Sequence, residues 1–112
     1  MKKLLLVLSI SLILCGCSDT SKRDEIETIM EENEYIIVDV RTEEEYEEIH
    51  VAGAINIPYD EIGESSNLDK DKIIFVYCRS GARSEKAFNT LTNLGYTVYD
   101  LGALSEIDLP KE

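Results

Sequence analysis

Two runs dominate what this chain can become: Tyr35-Ile36-Ile37-Val38-Asp39-Val40 and Lys72-Ile73-Ile74-Phe75-Val76-Tyr77. Both are apolar almost without polar alternation, the pattern of strands buried on both faces rather than of an amphipathic edge. Strands of that kind occur where helices cover a mostly parallel sheet. The intervening segments supply such helices. Ser21 or Asp24 can cap a helix through about Asn33, with Ile26, Ile29 and Met30 on one stripe. Thr42 caps an acidic helix, Glu43 to Ile49, and Glu45 completes a capping box. Arg83 or Ser84 opens a helix to Leu94 that carries Ala87, Phe88 and Leu91 on one face and stops at Gly95. Ala54 to Ile57 is a short strand before Pro58, Asp60 to Ser65 a weak helix or turn, and Tyr96 to Asp100 a last strand. The expected fold is α/β, a mostly parallel central sheet with helices on both faces and right-handed crossovers, in a single small domain.

Composition narrows the function classes. With 112 residues there is room for one domain. The balance of 11 basic against 23 acidic residues leaves a formal charge of −12, which argues against a nucleic-acid partner. Three cysteines are too few, and odd, for a disulfide framework. One His and few thiols make no metal-ligand set, so neither metal nor cofactor is expected.

The N-terminus reads as an address. Lys2 and Lys3 precede the uncharged stretch Leu4 to Leu14, which as a helix would rise about 16 Å, half a bilayer core. That is a signal h-region rather than a comfortable span. Leu14-Cys15-Gly16-Cys17 resembles a bacterial lipobox. The resemblance implies cleavage after residue 16, lipidation of Cys17 and attachment to an envelope membrane, with Cys78 as the sole free thiol left. Residues 1–16 are thus assigned to a lipoprotein signal peptide, 17–23 to a polar tether and 24–112 to the folded domain. An acidic domain gains nothing from an anionic bilayer, so the lipid must supply the attachment.

Chemistry concentrates at Cys78-Arg79-Ser80-Gly81-Ala82-Arg83, which leaves the strongest strand and enters a helix. Ligands of open parallel sheets gather beyond the carboxyl ends of the strands. A loop there, running into a helix N-terminus, aims several backbone N–H groups into one concavity suited to an anion or a thiolate. Gly81 permits a positive φ and Ala82 keeps bulk low. A cysteine so placed is acidified and becomes a nucleophile without a histidine base. Such a role requires an ionised sulfur that is not sealed from solvent beneath apolar side chains.

Four segments in order resemble the single-domain rhodaneses (thiosulfate sulfurtransferases): Asp39-Val40-Arg41 with Glu44-Glu45-Tyr46; His50 through Pro58; Val76 through Ser84; and Leu94-Gly95-Tyr96 with Val98 through Gly102. The resemblance implies a rhodanese-like fold and a persulfide mechanism, in which Cys78 takes sulfane sulfur from thiosulfate or a similar small anion and passes it to cyanide or a thiol. Arg79, Ser80, Gly81, Ala82, Arg83 and Ser84 would form the substrate cradle, Arg83 closing it with its fixed charge and Arg79 meeting substrate at the rim. Asp39 and Arg41 would brace the loop, and His50 would be structural. Family members commonly end in a Gly-Gly pair and a helix with an aromatic. Here Leu101-Gly102-Ala103-Leu104 leads into a short polar tail, and the last helix is expected to be shortened or absent. Tyr35, Tyr77, Tyr96 and Tyr99 sit at strand ends and are read as packing groups with the polar tip at the surface.

Three rivals remain. A phosphatase or arsenate reductase of related fold needs five residues between Cys and Arg, where this loop has four. A non-enzymatic module could bind a partner or merely hold a persulfide. Dithiol redox chemistry needs a second nearby thiol, and only Cys17, at the far end, survives cleavage.

Overall fold

A computed structural model describes residues 19–112. The signal segment and Cys17 lie outside the described residues. The first element, α1 (Asp19–Glu32), falls but for its last residue in a unit that ends at Glu31, and residues 32–112 form the second unit. Helix α1 begins at Asp19 rather than at Ser21 or Asp24. No Gly or Pro interrupts Asp19 to Asp24, so nothing in the backbone prevents polar residues placed in the tether from continuing the helix backwards.

The second unit runs β1 (Tyr35–Asp39), α2 (Glu43–Glu48), β2 (Ile55–Asn56), a 3₁₀ turn (Glu64–Ser66), β3 (Ile73–Cys78), α3 (Ala82–Asn93), β4 (Thr97–Ala103) and a 3₁₀ turn (Leu104–Glu106). All four strands are parallel, in the order β2-β1-β3-β4. The two apolar runs are the central pair, which explains their composition: β1 and β3 each have strand neighbours on both sides and supply most of the core.

Alternation divides that core between two faces. Val38, Val40, Ile74, Val76 and Cys78 pack with Ala87 and Leu91 of α3, with Ile62 and with Tyr96. Opposite them lie Ile37, Asp39, Phe75 and Tyr77, all buried. Helix α3 ends as its sequence predicts: Gly95 takes φ +99°, its amide bonds to Thr92 O, and the Tyr96 amide bonds to Leu91 O. This pair of bonds satisfies carbonyls that the helix leaves open. Helix α2 likewise starts with the full Thr42/Glu45 capping box. The last strand extends beyond Asp100 to Ala103 through an irregularity: Val76 faces Asp100 but Tyr77 faces Gly102. Gly102, at φ +83°, donates to Asp100 Oδ1, and the one extra residue is absorbed there.

The polar tail after β4 is not loose. Ile107 is buried, and Val51 pairs antiparallel with Lys111. Backbone bonds between His50 and Glu112, and from Ala52 N to Pro110 O, tie the chain end to the segment after α2. Where a longer last helix was missed, a short turn and this strap take its place.

Candidate functional site

Parallel strands bring their carboxyl ends to one edge, so Asp39, Asn56 and Cys78 end their strands on the same side of the sheet. Helix α2 follows β1 and helix α3 follows β3, and both therefore start at that edge. Gly81, at φ +104°, turns the chain from β3 into α3. An L side chain at that φ is strained, although a Cβ there would meet nothing within 4 Å, so conformation rather than space selects glycine.

The loop closes on the sulfur. The Gly81 amide donates to Cys78 Sγ at 2.9 Å. Burial acts to raise the Cys78 thiol, but the Ser84 hydroxyl and the amides of Ser84, Gly81 and Ser80 outweigh it and leave the thiol below its ordinary value. The Ser84 hydroxyl also lies 3.0 Å from Gly81 O, to which it can donate. Its single proton serves the carbonyl or the sulfur, one at a time. Ser80, Gly81 and Ser84 are thus brought together at the sulfur, whereas Ala82 is an exposed residue that opens the helix.

Solvent access differs from expectation. Cys78 is fully buried, its side chain among Val38, Val40, Ile74 and Val76, with no exposed surface for a reagent to meet. The physical reason is that the loop amides reach the sulfur only by folding over it. On the loop side the Gly81 amide bonds to the sulfur, and Arg79, Ser80 and Ala82 are exposed. An open depression of about 500 Å³ at the same edge is lined by Thr42, Glu43, Asn56, Pro58, Asp60 and Glu61, and does not reach Cys78.

Arg83 is not a free cation facing an empty cradle. Its Nη1 and Nη2 donate to Glu45 Oε1 and Oε2 at 3.0 and 3.3 Å, a two-pronged pair across the site. Arg79 Nη1 is 3.7 Å from the same carboxylate, with its own side chain 77 % exposed. The hydrogen bond from Arg83 is the main cause that holds Glu45 down to about 2, and the same bond raises Arg83. Arg83 also feels the Cys78 thiolate. Glu45 was legible as a helix cap but not as the anchor of both loop arginines, because that pairing links elements far apart in the chain.

Asp39 and Arg41, expected to brace the loop, instead bond to each other and to the segments around β2 and the end of α2. Both are buried, and Asp39 accepts from the Arg41 amide at 2.8 Å and from its Nη2 at 2.6 Å. Arg41 also donates to Ile49 O after α2, and Asn56 Nδ2 donates to Asp39 O and Arg41 O. One charged knot thereby fastens β1, β2 and the end of α2. Burial works to lower Arg41, yet its hydrogen bond to Asp39 and that carboxylate's charge leave it raised. Tyr77 belongs to the same knot, against the reading that put its hydroxyl at the surface. The ring is fully buried, its OH donates to Asp39 Oδ2 at 2.8 Å and accepts from Val51 N at 2.9 Å. Burial, chiefly, pushes this phenol up. The tyrosine lies on the inward face opposite Cys78, where a phenol needs and finds polar partners. Tyr96 is also buried and donates to Leu68 O. His50 is held structurally: its ring stacks on Tyr46, Nδ1 lies 2.7 Å from Tyr46 O, and Nε2 lies 3.3 Å from Glu112 Oε2.

A parallel sheet here delivers a cysteine from a central strand into a loop at a helix mouth, with backbone donors turned toward its sulfur, an arrangement suited to a thiolate or a small anion. The chain belongs to the rhodanese-like domain family, which it matches over residues 22–106. It is 42 % identical over 78 residues to the thiosulfate sulfurtransferase PspE of Escherichia coli, covering 66 % of this chain and 75 % of PspE. It is 33 % identical over 91 residues to the adenylyltransferase and sulfurtransferase uba4 of Ogataea parapolymorpha, covering 75 % of this chain but only 23 % of that longer protein. Among solved structures, a rhodanese with anions from E. coli superposes with a TM-score of 0.65 at 39 % identity, covering 70 % of this chain and 96 % of the other.

Proposed function

We propose that the protein is a sulfurtransferase in which Cys78 carries sulfane sulfur from thiosulfate, or a donor like it, to cyanide or a thiol. The observation that carries this reading is the Gly81 amide on Cys78 Sγ, within a ring of donors that favours the thiolate. The thiolate attacks the outer sulfur of thiosulfate. A bond forms between the two sulfurs, the sulfur–sulfur bond of thiosulfate breaks, and its electron pair leaves with sulfite. The persulfide anion that remains on Cys78 can be held by the same amides, since its terminal sulfur carries the charge the thiolate carried. Attack by cyanide or a thiolate on that terminal sulfur returns the electron pair to Cys78. For a donor to reach the buried sulfur, the loop that bonds to it through the Gly81 amide has to move aside.

Full burial of Cys78 favours a second reading, a module that holds a persulfide for a partner without turning it over. One experiment separates the two. After thiosulfate treatment, the intact mass should rise by one sulfur atom, and Cys78→Ser should abolish the gain. Catalytic release of thiocyanate on adding cyanide supports the enzyme, a stable mass gain without turnover supports the carrier, and no gain removes both. The lipobox around Cys17 further supports an exported, lipid-anchored protein. Cys17→Ser should then move it from the membrane to the soluble fraction, and an unchanged distribution refutes the anchor.

A further inference from the structure

The charges around Cys78 sum to a particular result. Asp39 and Arg41 pair with each other, deep in the fold. What remains at the loop is the thiolate, Glu45, Arg79 and Arg83. These two negative and two positive groups form a formally neutral set before any donor arrives, and Glu85 in the first turn of α3 adds a further negative charge. Both guanidinium groups lie within ion-pair distance of Glu45, and Arg83 does so with two hydrogen bonds and a side chain only 26 % exposed. An incoming anion must therefore share or displace Glu45 to reach Arg83. Each further negative charge on the donor meets this competition, and also a body of formal charge −12.

We propose that Glu45 is a specificity-determining residue of the sulfur-transfer site: by occupying Arg83 and Arg79 it disfavours dianionic donors and tunes the site toward sulfane-sulfur donors of lower charge. The inference rests on the sulfurtransferase reading and adds a donor class to it. Glu45 is well placed for this because the capping box fixes it. Its Oε1 accepts from the Thr42 amide at 2.9 Å, so the carboxylate is held on the first turn of α2 and does not swing aside at no cost.

A matched pair of donors tests it. Methanethiosulfonate differs from thiosulfate by a methyl group in place of one charged oxygen. Its reaction balances in the same way: Cys78 bonds to the outer sulfur and the electron pair leaves with methanesulfinate. Glu45→Gln keeps the length of the side chain and an acceptor for the Thr42 amide while removing the charge. The ratio of kcat/KM for thiosulfate to that for methanethiosulfonate should rise at least about tenfold in E45Q, the scale of one unit charge about 3–4 Å away when screened as in water and the lower bound for a less screened site. An unchanged or lower ratio in folded E45Q overturns the proposal. So does an equal loss with both donors, which is what a merely structural Glu45 would produce.

A variant-free arm uses the unreactive pair sulfate and methanesulfonate on the wild-type protein, read as protection against thermal unfolding. Protection by methanesulfonate at least equal to that by sulfate supports the proposal, and sulfate protecting at tenfold lower concentration overturns it. This arm stands even if E45Q fails to fold. If neither donor adds sulfur to wild-type Cys78, the sulfur-transfer reading itself has failed, a result distinct from a donor ratio that does not move.

Discussion

Tyr77→Phe isolates the knot beneath the site. The substitution removes one oxygen from a ring with no exposed surface and changes nothing else in shape. That oxygen makes two bonds, one to the Asp39 carboxylate at 2.8 Å and one from the Val51 amide at 2.9 Å. Asp39 keeps its bonds from Arg41, so its charge stays compensated. Val51 is 1 % exposed, and its N–H would be left without a partner. Losing a hydrogen bond to a charged group costs about 1.5–3 kcal/mol, and orphaning a buried N–H about 1–3 kcal/mol. Relief from burying the phenol's own hydroxyl offsets part of this, about 1–3 kcal/mol. The net expectation is a loss of ~2–3 kcal/mol in urea unfolding, and a melting temperature lower by about 10–20 °C for a domain of this size. Tyr99→Phe is the control. Tyr99 stacks on Phe75 through its ring and is half-buried, and removal of its hydroxyl should change stability by less than about 0.5 kcal/mol. A loss below about 0.5 kcal/mol in Tyr77→Phe would refute the reasoning, since it would mean that neither bond is made in solution.

The site yields further expectations. Arg83→Ala leaves Glu45 opposed only by the more distant Arg79, so the half-saturating thiosulfate concentration should rise about tenfold or more; an unchanged value in steady-state assays would take Arg83 out of the binding site. Because the folded fold lowers the Cys78 thiol, the reactive thiolate persists below the ordinary thiol range and is lost only as pH falls through the lowered value. The acid limb of kcat/KM for thiosulfate should therefore lie below that of a free thiol, and a limb at the free-thiol position would contradict the amide cradle. The Glu45–Arg83 pair has the same sign: its stabilisation is complete above the ordinary carboxylate value and lost as pH falls toward about 2, so thermal stability should decline through that acid window in wild type more than in Glu45→Gln. Finally, the closed loop predicts that Cys78 reacts with a bulky aromatic disulfide far more slowly than in urea, in a background where Cys15 and Cys17 are Ser; equal rates would show the sulfur to be open.

Much of this was legible along the chain. Two unbroken apolar runs place the central parallel strands, because a strand lined on both faces needs no polar alternation. Thr42 and Glu45 mark the start of α2, and Gly95 the end of α3, because caps are local bonds between residues a few positions apart. The order strand, Cys78, Gly81, helix predicts a loop of inward amides for the same reason. Partnerships across the sheet were not legible. The Tyr77 hydroxyl was taken for a surface tip because strand-end position says nothing of what lies above the ring, and only the packing of Asp39 and Val51 around it decides that. Glu45 is a capping residue by its neighbours and an anchor for Arg83 by its position in space.

The sequence by itself determined the fold class and the placing of Cys78 between a buried strand and a helix mouth, since these follow from periodicity and from short-range backbone geometry. Only the tertiary structure decided what surrounds that placing: that the sulfur is closed over, that the loop arginines are already engaged, and that the chain end straps the segment after α2. Those outcomes depend on charges and surfaces brought together from distant positions, and Coulomb attraction and burial act on distance in space rather than on distance along the chain.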